Sequence, residues 1–164
     1  MLIPSARMNA QSTCNGGSSC SVTTDFVLSI SYVARLSLSV PPVADDGITS
    51  SEIAAGTSNL LGPTLTVQSN VPYRVEVQAT QTHWTYLGTA VNPNKPSSDL
   101  LWSTAPNGTY KPSNISSQFM PATVGSAPAT SGTDATIYFR SLWNWTSSPP
   151  GNYKLPVSFT LVAP

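Results

Sequence analysis

Alternating apolar positions begin at the N-terminus of the chain. Leu2, Pro4, Ala6, Met8 and Ala10 are apolar, and most of the residues between them are polar. Because successive side chains of a strand point to opposite faces, this pattern predicts an extended segment with one apolar face. The Gly- and Ser-rich residues 14–20 follow, so no hairpin partner comes directly after it. Its partner is therefore distant in this chain or in another chain.

The longest alternation in the chain covers residues 26–40. At about 3.3 Å per residue, one strand of this length would approach ~50 Å, which is longer than a small β-sandwich. We therefore expect a bend or a switch between sheets near Val33, and two strands. The apolar positions are Phe26, Leu28, Ile30, Tyr32, Ala34, Leu36, Leu38 and Val40.

Shorter alternations continue to the C-terminus. Residues 73–79 give the clearest half-buried strand, with Tyr73, Val75, Val77 and Ala79 inward. Residues 41–59 read as a loop with one short edge strand, and no amphipathic helix is expected. Further strands are predicted at 65–67, 84–87, 100–103, 135–145 and 153–163, and six to eight short antiparallel strands favour an all-β sandwich.

One tight turn is predicted from its residue types. Asn107 and Gly108 suit the positive φ angles of a type I′ connection. This pair therefore predicts a β-hairpin with a two-residue turn.

The composition narrows the class of protein. The length of 164 residues fits one domain. Charged residues make up 9% of the chain, whereas an average soluble protein has about 25%. Seven basic residues balance seven acidic ones. The chain therefore lacks the basic patch that nucleic acid or an anionic membrane would require, and neither is expected as a partner.

Cysteine use points to an oxidising compartment. Cys14 and Cys20 enclose the flexible sequence NGGSS, so a disulfide between them is expected, with two free thiols as the alternative. Such a short loop would stabilise the fold by about 2 kcal/mol. No apolar run approaches the roughly 20 residues of a membrane span, and no signal peptide is recognisable, so the chain reads as a mature form.

Catalytic chemistry finds little support in the sequence. A serine nucleophile needs a base, and His83 is the single histidine, in a context without an elbow-like turn. Asp45, Asp46 and Glu52 lack the spacing of a calcium loop and read as a solvated acidic segment. We therefore expect no enzyme activity, no metal and no cofactor.

Two tryptophans near the C-terminus carry a different hypothesis. Trp143 and Trp145 share one parity, so on a strand both would lie on one face and form a platform on which sugar rings stack. The alternative is that one or both pack over the core edge or a subunit interface. A secreted carbohydrate-binding module is therefore the second functional hypothesis.

Three segments together resemble a known family. LTVQSNVPYRVEVQA, DATIYFRSLWNW and PPGNYKLPVSFTLVAP are similar to spore coat protein U-like domains and to the subunits of archaic chaperone-usher pili. Gly151 and Tyr153 stand at the matching positions of the turn before the last strand. The resemblance lies in residues 65–79 and 135–164.

This resemblance implies an immunoglobulin-like antiparallel sandwich that lacks its last strand. Residues 1–13 would be a donor extension and residues 14–164 the sandwich, with the extension of one subunit filling the groove of the next. The alternative to donation is that residues 1–12 form an edge strand of the sandwich in their own chain. The implied donor residues are Leu2, Pro4, Ala6, Met8 and Ala10, and the implied acceptor residues are Phe26, Leu28, Ile30, Tyr32, Leu155, Val157, Phe159 and Leu161.

The resemblance also implies a function and partners. Head-to-tail strand addition does not close on itself, so its product is a filament. The expected protein is a structural subunit of an extracellular pilus with a role in cell adhesion. Its partners would be identical subunits and, before assembly, a periplasmic chaperone and an outer-membrane usher.

Overall fold

Antiparallel strand pairs form most of the regular structure of the chain. The computed structural model describes residues 7–9, 25–39 and 47–163. The chain divides into two units, residues 1–32 and residues 33–164. In the first unit, β1 (Arg7–Asn9) pairs with β2 (Asp25–Val27), and Met8 lies opposite Phe26. The predicted domain boundary after residue 13 stays a prediction.

The second unit holds the sheets that contain the core. One sheet has five strands in the order β3 (Ala34–Leu38), β4 (Thr57–Ser69), β10 (Thr130–Leu142), β7 (Leu100–Ser103) and β8 (Lys111–Pro112). Another has three, in the order β12 (Val157–Val162), β5 (Arg74–Ala79) and β9 (Ser117–Met120). A separate pair joins β6 (Thr85–Leu87) to β11 (Asn152–Lys154). The helical segments are α1 (Ser50–Ala55) and a 3-10 helix, Ser97–Asp99.

Both larger sheets contribute side chains to one hydrophobic cluster. The predicted strand at residues 73–79 is confirmed, because Tyr73, Val75, Val77 and Ala79 are all buried. The cluster therefore holds the two sheets together. Its buried members are Leu65, Val67, Tyr73, Val75, Val77, Trp102, Phe119, Met120 and Ile137.

The long alternation at residues 26–40 forms two strands, as predicted. β2 ends at Val27 and β3 begins at Ala34, so the interruption covers residues 28–33 and is longer than a bend at Val33. The backbone N–H of Val33 donates to Asn70 Oδ1 at 2.8 Å, and the backbone N–H of Asn70 donates to the Val33 carbonyl at 3.1 Å. These two bonds hold the start of β3 against the residue that follows β4.

A bulge allows β4 to contain a proline in the stretch that pairs with β10. Leu61 lies opposite Tyr138 and Thr64 opposite Thr136, so Gly62 and Pro63 together face Ile137. Two residues against one is the definition of a β-bulge, where a missing N–H is tolerated. A Cβ on Gly62 would lie 2.7 Å from Ile137 Cγ2 and 2.8 Å from its carbonyl oxygen. Only glycine fits this close approach of the two strands.

The loop predicted at residues 41–59 contains a short helix instead. Thr49 caps α1, and the Glu52 side chain accepts from the Thr49 backbone N–H at 2.8 Å, which completes a capping box. Hydrogen bonds from Ser58 and Thr49 lower the pKa of Glu52 to about 2, so the carboxylate stays ionised in mildly acidic solution. Gly56, at φ 76°, ends the helix in the left-handed conformation.

The prediction of a type I′ turn at Asn107 and Gly108 is wrong. Neither residue has a positive φ angle, whereas that turn requires one at both. A hairpin does form there, because β7 pairs with β8, but residues 104–110 connect the two strands. In this longer loop, Asn107 and Gly108 do not need the positive φ angles that a two-residue turn would have required. The predicted strand count was also low, since the described residues contain twelve strands.

Candidate functional site: the outer edges of β3 and β12

Two terminal strands lie close together in the second unit. β12 pairs with β5 on one side and stands last in its sheet, and β3 pairs with β4 and stands last in the other sheet. Cα atoms of β3 and β12 approach within 8 Å of each other. Within residues 25–39 and 47–163, no strand pairs with the outer edge of either one. We refer to these two outer edges and the side chains between them as the edge groove.

The β12 side of the core is less covered than the β5 side. Phe159 lies opposite Val77 and Leu161 lies opposite Val75, so each pair shares one face of the sheet. Val75 and Val77 have 0% exposure, whereas Phe159 and Leu161 are only partly buried. The hydrophobic core is therefore incompletely covered along β12.

Phe159 and Leu36 fix the groove to the core. The Phe159 ring packs against Phe119 with 6.3 Å between the ring centroids. Leu36 on β3 is partly buried and packs against the same cluster. Val157 and Leu161 do so as well. Leu36 was missing from the predicted acceptor residues, although it belongs to the same alternation as Phe26 and Tyr32.

Charge is confined to the other face of the three-stranded sheet. Arg74 and Glu76 alternate with the buried Val75 and Val77, and Arg74 Nε lies 2.9 Å from Glu76 Oε1. The Arg74 side chain, with a further hydrogen bond from Ser116, lowers the pKa of Glu76 below its ordinary value. The apolar row of β12 thus borders the groove without a charged residue, since residues 157–162 contain none.

The predicted acceptor residues fall into different environments. Val157, Phe159 and Leu161 lie in β12, and Leu155 is partly buried just before it. Phe26 lies in β2. Leu28, Ile30 and Tyr32 belong to no strand and are 72%, 88% and 57% exposed.

Most of the predicted donor segment lies outside the described residues. Met8 is in β1, and the structure gives its backbone pairing with β2. Leu2, Pro4, Ala6 and Ala10, as well as Cys14 and Cys20, are not among residues 7–9, 25–39 and 47–163. The donor and disulfide predictions therefore stay predictions.

The structure does not bring Trp143 and Trp145 together as one exposed surface. Trp143 packs edge-on against Tyr153 at 5.1 Å, and its Nε1 donates to Ser141 Oγ at 2.7 Å. Lys95 Nζ lies 4.5 Å from the centre of the Trp143 ring. Trp145 is 64% exposed. Only Trp145 presents a free ring to solvent.

An open cavity of about 340 Å³ is lined in part by Thr146 and Ser147, the two residues that follow Trp145 in the sequence. Its walls come from two loops, one before the 3-10 helix and one after β10. Hydroxyl and amide groups stand among mostly apolar atoms there. The lining residues are Ala90, Val91, Asn92, Pro93, Thr146, Ser147 and Pro149.

The candidate catalytic and metal-binding residues that the structure describes are not assembled into a site. His83 is exposed, and its Nδ1 lies 3.0 Å from Thr82 Oγ1. Asp45 and Asp46 lie outside the described residues, and Glu52 belongs to the capping box of α1. Among the residues that the structure describes, no three His, Cys, Asp or Glu side chains are placed to hold a metal ion. The helices of the described ranges are all too short or too polar to cross a membrane.

No protein-family model matches the sequence, and no curated protein matches it.

Proposed function

We propose that the chain is a structural subunit of an extracellular filament, assembled head-to-tail by a strand that each copy donates to the edge groove of the next. One observation carries this proposal. Val75 and Val77 on β5 are fully buried, while their cross-strand neighbours Leu161 and Phe159 on β12 are only partly so. A further strand along β12 would complete the cover of the core.

In this proposal the two larger sheets form an immunoglobulin-like sandwich that lacks one strand. The position of β12 and β3 at the ends of two different sheets, close to each other, supports it. A strand along β12 would pair with its outer edge and lay alternate side chains over Val157, Phe159 and Leu161. Backbone hydrogen bonds would supply affinity, and the alternating side chains would set the register.

The outer edge of β12 also favours a strand as the occupant over a small molecule. An unpaired strand edge presents a row of backbone N–H and C=O groups that another strand satisfies. β12 has no proline and no charge to block such pairing, whereas β8 at an end of the five-stranded sheet contains Pro112.

Donation from one copy to the next gives an open assembly. The donor and the groove are different surfaces of one chain, so the interface is heterologous and produces a fibre unless the rotation closes a ring. Before assembly, the exposed apolar edge would be an aggregation hazard that a chaperone covers. The low charge and the abundance of hydroxyl side chains fit an extracellular surface.

Leu161→Asp in the full chain tests the groove. We expect it to reduce the assembled fraction at least about tenfold, because pairing would bury an unpaired carboxylate. Assembly is measured by electron microscopy and by size-exclusion chromatography with light scattering over a range of concentrations. Thr160→Asp is the matched control, since Thr160 is exposed on the opposite face of the same strand.

Folding of both variants is checked by circular dichroism. If Leu161→Asp does not fold, Leu36→Asp on β3 replaces it, because Leu36 borders the same groove from the other sheet. A folded parent chain that stays monomeric at every concentration refutes the filament proposal, as does a folded Leu161→Asp chain that assembles like the Thr160→Asp control.

Carbohydrate binding is a second candidate function, which the exposure of Trp145 favours. Its ring is 64% exposed, and the next two residues, Thr146 and Ser147, line the open cavity. Sugar rings stack on such a ring while hydroxyls bind nearby polar groups. We expect soluble polysaccharides to quench tryptophan fluorescence of the full chain and Trp145→Ala to abolish the quenching. Equal quenching of both proteins would contradict this function.

A further inference from the structure

An exposed apolar row precedes β3. Leu28, Ile30 and Tyr32 repeat at every second residue and are 72%, 88% and 57% exposed. Ser29 and Ser31 stand between them. Isolated exposed apolar residues are ordinary, but a contiguous row of large ones marks an interaction surface. The row therefore marks a candidate interaction surface.

Chain connectivity prevents this row from covering the edge of β3 in its own copy. A segment that runs back beside β3 needs a reversing loop, and the shortest common loops have two residues. Only Val33 separates Tyr32 from Ala34, where β3 begins. Val33 is also held by two hydrogen bonds with Asn70. The register of β3 on β4 offers no partner either, because Ala34 already lies opposite Ser69, the last residue of β4.

The row matches the edge groove in spacing and in charge. Leu28, Ile30 and Tyr32 repeat with the same period as Val157, Phe159 and Leu161 of β12. Because residues opposite each other in paired strands share a face, one strand alongside the other would bring the two rows together. Residues 28–33 and 157–162 contain no charged side chain, so this pairing would desolvate no charge.

We infer that residues 28–32 are the strand that one copy donates to the edge groove of a second copy. This assignment rests on the filament function proposed above and names its donor. It moves Leu28, Ile30 and Tyr32 from the acceptor side, where the sequence placed them, to the donor side. It also replaces the N-terminal residues 2–10 as the donor. The second copy supplies β12, and the first copy continues from the donated strand directly into its own β3.

Three full-length variants test the donor assignment by the same assembly measurements. Ile30→Asp places a charge at the most exposed position of the row, and Met8→Asp does so in the N-terminal segment. Val124→Asp is the control, since Val124 is 100% exposed and lies outside both segments. We expect Ile30→Asp to reduce the assembled fraction at least about tenfold, and the other two to assemble like the parent chain. The melting temperature of the unassembled Ile30→Asp chain should equal that of the unassembled parent chain.

Two results would overturn the assignment and leave the filament function intact. The first is normal assembly of Ile30→Asp together with loss of assembly in Met8→Asp, which would make the N-terminal segment the donor. The second is a melting temperature of unassembled Ile30→Asp several degrees lower, because the row would then pack within its own copy. A parent chain that never assembles would instead overturn the filament function itself.

Discussion

The Trp102→Ala variant is expected to lose about 3–5 kcal/mol of the free energy of unfolding, the largest effect of any substitution considered. Trp102 is 1% exposed and lies in β7. Its ring packs edge-on against Phe119 of β9 at 5.9 Å between centroids. Because β7 and β9 belong to different sheets, the variant opens a cavity where the two sheets meet. Urea unfolding followed by circular dichroism measures the change.

A matched tryptophan separates burial from residue type. Trp145→Ala removes an equal side chain at a position that is 64% exposed, and we expect a change within about 0.5 kcal/mol. A loss below about 1 kcal/mol for Trp102→Ala would contradict the shared core. The two larger sheets would then be stabilised independently of each other. The partial burial of β12 would in that case no longer indicate that a strand is missing from a shared core.

Strict alternation predicted the strands that are covered on one face only. In β5 and the tyrosine just before it, every second residue from Tyr73 to Ala79 is buried, and the polar residues between them stay accessible. A sheet with one face on the core and one in solvent produces this period directly. The short strand at 100–103 was also predicted with its observed bounds. The periodicity of single segments therefore carried much of the local structure.

The same alternation gave no information on pairing. Residues 28–32 alternate as regularly as β5, yet they form no strand and are exposed. Periodicity reports that one face is apolar, whereas a strand also requires a neighbour, which is a property of the whole topology. For this reason the alternation alone could not separate segments that pair from segments that stay unpaired.

Helix α1 was missed although its signal stood in the sequence. The spacing of Thr49 and Glu52 is that of a capping box, in which each side chain satisfies the other's backbone N–H. The helix has six residues and no buried side chain, so it lacks the apolar stripe that predicts longer helices. Its capping residues, and not a hydrophobic period, were the sequence feature that could have predicted this helix.

The burial of Lys95 had no local signal at all. It lies in a loop rich in Pro, Asn and Ser, a context typical of solvated residues. Its cover comes from Trp84 and Trp143, whose ring centres lie 6.0 and 4.5 Å from Nζ. Residues so far apart in sequence meet only after β10 and the loop have been placed. Sequence reasoning therefore left Trp143 between an exposed platform and packing over the core edge, and it left Lys95 out.

The Lys95→Met variant is expected to lower the free energy of unfolding by about 2–3 kcal/mol. Lys95 Nζ lies 2.7 Å from Asp99 Oδ2 and also donates to the Leu142 carbonyl. Methionine keeps much of the side-chain volume but leaves both oxygens without this donor. The expected loss is below that of a fully buried ion pair, because the Asp99 side chain is 28% exposed and water compensates part of it. Chemical unfolding of the variant and the parent chain measures the difference.

Lys111→Met is the matched control, because Lys111 is exposed and contacts Trp102 through a cation–π contact at 5.2 Å. We expect it to cost at most about 1 kcal/mol. Adding Asp99→Asn to Lys95→Met should recover part of the loss, since the carboxylate is then no longer left without its cation. If Lys95→Met costs no more than Lys111→Met, Lys95 does not hold the loop against the end of β10. Trp143 would then be held by its contacts with Tyr153 and Ser141 alone, and the burial of its ring would not depend on the lysine.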